Sequence, residues 1–263
     1  MKLSNFSVML FIGAASCMDG NPLTSGPRRL NIKQRYRSWR DSASLFMPLP
    51  PETVYTKRDT ESHALQESFA SAVMHRNATA VKHFLENTNV NPGLPNRWGE
   101  TPLFRAVMND DKTVAKLLLD TGRAAPNRLD GSGWTPLTYA AMMGENELAA
   151  LLLATSGVEP DAKDGTGWTP LLHAAAGGYD SIVQLLLASA GDGDRGNSVE
   201  VDAQDGQKRT PLWWAVENRH VAVVKLLVGS HRVKSTAEDV YGLSPLEIAK
   251  RSGDKEMIGL LGG

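Results

Sequence analysis

Histidines, acidic residues and glycines are the places where catalysis or cofactor binding would first show in this chain of 263 residues. The six histidines are scattered, and none belongs to a His-Glu-x-x-His pair of the kind that binds zinc. The chain also has no phosphate-binding loop and no Gly-x-Ser-x-Gly elbow. Because such constellations are missing, we expect no catalytic residues, no metal and no cofactor, and we predict that the protein is not an enzyme.

One motif has the spacing of a dinucleotide-binding loop. Gly191-x-Gly193-x-x-Gly196 is formally the pattern that holds a pyrophosphate. The predicted element before it is a helix, whereas the dinucleotide fold needs a strand there, and Asp192 and Asp194 would repel the phosphates. The segment is therefore interpreted as a solvated surface loop.

Composition and charge exclude further classes. The chain has 28 Lys and Arg residues against 29 Asp and Glu residues, so its net charge of −1 creates no overall attraction to nucleic acid or membrane. The single cysteine, Cys17, suits a reducing compartment, and we expect a cytoplasmic protein. The apolar run at residues 8–15 follows Lys2 and leaves an alternative, in which residues 1–17 act as a secretory signal.

The elements that position all other residues belong to an internal repeat. A Thr-Pro or Ser-Pro pair recurs at steps of 34, 34, 41 and 34 residues. The pairs begin at Thr101, Thr135, Thr169, Thr210 and Ser244. An Asn or Asp lies five residues before each pair, and a glycine follows that acid or amide in every unit except the fourth, which has Lys208.

Each unit predicts a turn followed by two helices. Asp can hydrogen-bond its own backbone in a tight turn, and Gly accepts a positive φ. The Thr hydroxyl can cap the first helix, and Pro fits the first helical position because it has no N–H to satisfy. A second apolar block, such as residues 148–152, predicts the second helix. One hairpin cannot bury both faces of that helix, so the copies must stack.

These units resemble the ankyrin family, whose consensus includes Thr-Pro-Leu-His-x-Ala in a unit of about 33 residues. The amino-acid sequence of residues 164–175 is similar to that of ankyrin arrays in large fungal signalling proteins. The consensus His is replaced in every copy, and His173 lies one position later. The resemblance implies an all-α solenoid of stacked helix-turn-helix units with β-turn fingers.

The resemblance covers residues 63–263 and leaves an amino-terminal arm. The units are expected at about 63–95, 96–129, 130–163, 164–204, 205–238 and 239–263, with the first and last as caps. Residues 18–62 are rich in Pro, Ser and charge and are expected to be disordered. The extra seven residues in the step of 41 fall in the loop at 189–198.

The arm contains a basic segment at residues 28–40. Its cations are Arg28, Arg29, Lys33, Arg35, Arg37 and Arg40. With Ile32, Tyr36 and Trp39 on one helical face, the segment could bind an anionic membrane, a nucleic acid or a partner groove, or it could pack on the array as a linker helix.

Equivalent residues of successive units line up in ladders, so remote residues form one surface. The residue before each Thr or Ser includes Trp134, Trp168 and Arg209, which are hot-spot residue types at a turn tip. A second ladder on the first helices contains Arg105, Tyr139, His173 and Trp214. One turn later it is joined by Met108, Asn109, Met142, Met143, Glu217 and Asn218.

We predict that these residues bind a protein partner on the concave face and that the protein is a monomeric, non-catalytic scaffold. The alternative interpretations are that Trp134 and Trp168 stack on each other, and that Tyr139 and Trp214 pack against the insertion or the arm. Trp213 is expected in the core, because it occupies the consensus His position. The rival function is a membrane- or nucleic-acid-associated protein targeted by the segment 28–40, with the array as a spacer.

Overall fold

The computed structural model describes residues 57–189 and 199–262, with side chains from residue 61 onward. The segment 1–17, the basic segment 28–40 and the Gly-rich loop at 191–196 lie outside these residues. The sequence places the start of the array at residue 63, whereas the first helix begins at Lys57. The described domain therefore includes the last part of the segment predicted as an arm.

Twelve helices occupy the described part of the chain, and they form six consecutive hairpins. Their bounds are α1 Lys57–Met74, α2 Ala78–Asn87, α3 Pro102–Met108, α4 Lys112–Leu119, α5 Pro136–Met143, α6 Asn146–Leu153, α7 Pro170–Gly177, α8 Asp180–Ser189, α9 Pro211–Glu217, α10 Val221–Gly229, α11 Pro245–Ser252 and α12 Lys255–Leu261. These hairpins are called repeats 1 to 6. The predicted solenoid is confirmed.

The helices stack in two rows. The first helix of each repeat packs on the first helix of the next, and the second helices form a parallel row behind them. Each hairpin also packs its own two helices together. A residue on one first helix therefore has an equivalent on the neighbouring first helix, as the ladders require.

The Thr-Pro pairs begin the first helices in the way that their chemistry predicts. In repeats 2 to 6 the hydroxyl of the capping residue accepts a hydrogen bond from the backbone N–H three residues later, and Pro occupies the first turn. In repeat 2 the bond from Phe104 N to Thr101 Oγ1 measures 3.1 Å. Removing such a cap costs about 1 kcal/mol, so five caps fix where these helices start.

The core runs along the interior between the two helix rows. The alanine that lies five residues after each Thr or Ser is fully buried in repeats 2 to 6, which lets the paired helices approach closely. The leucine after each Pro is also buried in repeats 2 to 5, but Leu246 in repeat 6 is half-buried. Leu246 lies in the last described repeat, where no further described hairpin covers it.

Candidate functional site

Five turns project from the front of the first-helix row, and each is held by its own Asn or Asp side chain. We call them fingers 1 to 5, at residues 96–100, 130–134, 164–168, 205–209 and 239–243. In finger 3 the Asp164 Oδ1 atom accepts hydrogen bonds from the backbone N–H groups of Thr166, at 2.8 Å, and Trp168, at 3.0 Å. The same pair of bonds recurs in the other four fingers. The fingers are therefore rigid turns.

The remaining oxygen of the finger acid connects some fingers to the first-helix ladder. His173 Nε2 donates to Asp164 Oδ2 at 2.7 Å. In the next repeat, Trp214 Nε1 donates to Asp205 Oδ2 at 3.1 Å, and Arg209 Nε donates to the same atom at 2.9 Å. His173 and Trp214 on the first helices therefore contact the fingers of their own repeats. We call this surface, formed by the five fingers and the first-helix ladder, the finger–helix face.

Aromatic rings run along this face from repeat 2 to repeat 5. Ring centroids lie 5.5 Å apart for Phe104 and Tyr139, and 6.0 Å apart for Tyr139 and Trp134. His173 contacts Trp134 at 6.3 Å and Trp168 at 4.9 Å. The row continues from Trp168 to Trp214 at 5.0 Å. Because three of these five contacts join neighbouring repeats, the row fixes the repeats relative to one another.

Trp134, which the sequence predicts as a partner-binding residue, lies in the core. Its side chain is only 1 % exposed, although it stands at the same position of its unit as Trp168, which is half-buried. The Trp134 ring turns under its finger and packs between Tyr139 of its own repeat and His173 of the next. His173 contacts both tryptophans and so links them across the boundary between the two repeats.

Most of the predicted first-helix residues are also buried. The set comprises Tyr139, His173, Trp214, Met108, Met142 and Met143. They fill the space behind the fingers, while Arg105, Asn109 and Glu217 are partly or fully exposed. Of the predicted finger residues, Trp168 and Arg209 are partly exposed. Asn218 is exposed, but its amide donates to the Ala176 carbonyl of the preceding repeat at 3.0 Å. Trp213 is buried, as the sequence predicts.

Two apolar finger residues escaped the sequence analysis. Tyr241, on finger 5, is 75 % exposed, and Val240 beside it is half exposed. On finger 1, the Arg97 guanidinium lies 4.1 Å from the centre of the Trp98 ring. Trp98 and Tyr241 lie two residues after the finger Asn or Asp, whereas the ladder compared in the sequence lies four residues after it. A comparison of the residues two positions after each finger Asn or Asp would have identified Trp98 and Tyr241.

Charge on the face is largely neutralised below its surface. Burial pushes the pKa of Asp164 upward, but hydrogen bonds from His173, Thr166 and the Trp168 backbone, together with the charge of His173, outweigh burial and hold that pKa below its usual value. Arg105 similarly lies 3.5 Å from Glu100. The carboxylates of Asp164 and Asp205 are therefore paired below the surface of the face.

Over 57–189 and 199–262, no group of three or more His, Cys, Asp and Glu side chains is placed to hold a metal ion. Within the same ranges, no helix combines the length and apolar character needed to cross a membrane.

Helical hairpins that stack in register behind a row of turns define a solenoid repeat protein. A family model described as ankyrin repeats (3 copies) matches the chain over residues 69–164, 129–197, 144–239 and 197–262. The chain belongs to the ankyrin repeat family. Ankyrin repeats are generally protein–protein interaction modules and are typically non-catalytic.

Solved structures share the architecture. The ankyrin repeat protein EF0377 is 27 % identical, with a TM-score of 0.68 over 75 % of this chain and 97 % of its own. An ankyrin repeat domain from Acinetobacter baumannii AYE is 23 % identical, with a TM-score of 0.66 over 74 % of this chain and 95 % of its own, and it shows the fold alone. No curated protein sequence matches the chain.

Proposed function

We propose that this protein is a non-catalytic scaffold that binds a protein partner on its finger–helix face. The observation that carries the proposal is the aromatic row, which spans four repeats. The row reaches solvent at Trp168, and the cation Arg209 on the next finger is also partly exposed. Tryptophan, tyrosine and arginine are the residue types that dominate the binding energy of protein interfaces. Their rings are already fixed by neighbouring repeats, so little conformational entropy is lost on binding.

The exposed tyrosine on finger 5 extends this face to its carboxyl-terminal end. A Tyr side chain that is 75 % exposed contributes little to the stability of its own repeat. It supplies a large amphipathic contact at low entropic cost. Trp168 and Tyr241 therefore mark the middle and the end of the surface that we assign to the partner.

Proximity capture tests the proposal on the full chain. Partners are cross-linked and quantified for the wild type, for a Trp168→Ala/Tyr241→Ala variant and for a Thr113→Ala/Gln184→Ala variant. Thr113 and Gln184 are exposed on the second helices α4 and α8, so this variant is the matched control. We expect the face variant to lose the proteins that the control retains. Equal capture by both variants would remove the finger–helix face as the binding surface.

The same experiment separates the rival function of the basic segment. A further variant replaces the six cations of 28–40 with glutamine and leaves the array unchanged. The scaffold proposal expects this variant to capture the same proteins as the wild type. Loss of capture with this variant alone, or loss of binding to anionic vesicles or nucleic acid, would favour targeting by the basic segment.

A further inference from the structure

The row of fingers is bonded side to side, except at one junction. Gly131 N donates to the Trp98 carbonyl of finger 1 at 2.8 Å, and Gly165 N donates to the Gly133 carbonyl of finger 2 at 3.1 Å. Val240 N likewise donates to the Gln207 carbonyl of finger 4 at 3.1 Å. Among the described residues, no corresponding backbone bond joins Gly206 of finger 4 to finger 3.

The space around the finger glycines shows the same opening independently. A Cβ atom added to Gly131 would lie 2.7 Å from the Trp98 carbonyl oxygen, and one added to Gly165 would lie 2.9 Å from the Ser132 carbonyl oxygen. A Cβ atom at the equivalent Gly206 would meet no atom of the described residues within 4 Å. Among these residues, the space beside Gly206 between finger 3 and finger 4 is therefore open, and we call it the notch.

The notch is flanked by an indole and a guanidinium that are both held in place. Trp168 of finger 3 contacts His173 on one side and Trp214 on the other. On finger 4, the Arg209 guanidinium lies 4.1 Å from the centre of the Trp214 ring, and its Nε is bonded to Asp205. Arginine has five N–H donors, and this bond uses one of them. The Arg209 side chain remains 15 % exposed.

A lysine stands at the edge of the notch in a backbone conformation that favours glycine. Lys208 has a φ of 61°, at the position where the other four fingers have Gly99, Gly133, Gly167 and Gly242. A left-handed conformation costs a non-glycine residue about 1–2 kcal/mol. The Lys208 side chain is exposed. Five other non-glycine residues of the described chain share this conformation, so the φ angle alone does not mark a site. What it shows is that finger 4 keeps the turn of the other fingers while it carries an exposed ammonium group in place of their glycine.

The charges at the notch have one sign at the surface. Asp164 and Asp205 are buried and engaged by His173, Arg209 and backbone N–H groups. Of the charged side chains of fingers 3 and 4, Lys208 is exposed and Arg209 is partly exposed. The uncharged side chains that reach solvent there are Thr166, Trp168 and Gln207. Charge complementarity therefore selects a carboxylate that is close to an apolar side chain.

We propose that the notch binds an extended acidic segment of the protein partner. One Asp or Glu carboxylate of that segment accepts hydrogen bonds from the free guanidinium N–H groups of Arg209 and pairs with Lys208. A neighbouring apolar side chain packs on the exposed part of Trp168. This inference rests on the proposed function, because it gives the chemistry of a partner for the finger–helix face. A nucleic-acid strand fits less well, since it would need a longer track of cations to follow its phosphates.

The experiment uses the full chain and peptides selected on it from a random nine-residue display library. Kd is measured by fluorescence polarisation for wild type, Lys208→Gly, Gly206→Leu and Arg209→Gln. Lys208→Gly restores the residue that the other fingers carry, and Gly206→Leu adds a side chain to open space, so both are expected to fold. Lys225→Gln is the matched control, because Lys225 is an exposed cation on the second helix α10, outside the finger–helix face.

We expect the selected peptides to be enriched in Asp or Glu near an aromatic or aliphatic residue. Affinity should fall about tenfold in Arg209→Gln and Gly206→Leu and about threefold in Lys208→Gly, with less than about twofold change in Lys225→Gln. If only Arg209→Gln lost affinity, the loss would be attributed to unfolding. The proposal would then be overturned, because Lys208→Gly and Gly206→Leu, which keep the fold, would bind the peptide as wild type does.

Three further outcomes would also overturn the inference. Peptides that lack acidic residues, or that bind Lys208→Gly and Gly206→Leu as tightly as wild type, would remove the notch. If such peptides still cross-link to the finger–helix face, the proposed function survives. Single-stranded oligonucleotides that displace the peptides would assign the notch to nucleic acid. Self-association in sedimentation that Gly206→Leu abolishes would assign it to a second copy of the chain.

Discussion

Trp134 and Trp168 occupy the same position in adjacent repeats, yet the first is buried and the second is half-buried. Finger 3 is bonded to finger 2 through Gly165 N and the Gly133 carbonyl, next to Trp134, whereas no described backbone bond closes finger 4 onto finger 3 beside Trp168. The burial of these two tryptophans therefore differs with the position of the finger that follows each of them.

The largest expected difference comes from removing each indole. Trp134→Ala should lower the free energy of unfolding by about 3–5 kcal/mol, because it leaves a cavity between two repeats. Trp168→Ala should cost only about 1–2 kcal/mol, because its ring is partly solvated. Urea titrations followed by far-UV circular dichroism measure both. Equal losses would show that the two tryptophans are equivalent, and the comparison would fail.

The finger contacts can be tested directly with a methyl group. Gly165→Ala should destabilise the chain by about 1–3 kcal/mol, because its Cβ would press on the Ser132 carbonyl. Gly206→Ala should change stability by less than about 0.5 kcal/mol, because its Cβ meets open space. Thermal unfolding of the two variants supplies the check. A Gly206→Ala variant as unstable as Gly165→Ala would mean that the notch is closed in solution.

Acid should loosen the centre of the face, where His173 joins the two tryptophans. The pKa of Asp164 is lowered in the folded chain, so its carboxylate stabilises the fold fully above the ordinary carboxyl pKa of about 3.9. That contribution is lost as the pH falls below this value and through the depressed pKa. Asp164→Asn should cost about 1–2 kcal/mol at neutral pH. Its stability should also fall less than that of wild type between neutral pH and about pH 3. Parallel pH profiles of the two proteins would contradict the role of the His173 bond.

The smallest effect concerns the strained edge of the notch. Lys208→Gly should raise stability by about 0.5 kcal/mol, since relief of the left-handed strain exceeds the extra entropy that glycine loses on folding. Differential scanning calorimetry against Arg97→Gln provides the comparison. A clear loss of stability would show that the Lys208 side chain makes a stabilising contact that outweighs the strain of its left-handed backbone conformation.

The architecture followed from the sequence because its determinants are local. The Thr-Pro pairs cap and start the first helices at the predicted residues, and the finger acids hold their own turns. The burial of Trp134 did not follow, because it depends on where the next finger lies. The departure at Lys208 was visible as a missing glycine, but its meaning required the φ angle and the open space at Gly206.

The carbonyl of Ala176 has a mechanical consequence. It accepts hydrogen bonds from both Asn218 and His220 of the next repeat, each at 3.0 Å, on the side of the array away from the finger tips. Repeats 4 and 5 are thus joined by these two hydrogen bonds at the end of the first helix, whereas no described backbone hydrogen bond joins their fingers. A force that pulls the two ends of the array apart should therefore bend it between repeats 4 and 5. The notch should widen before the two helices of any repeat separate.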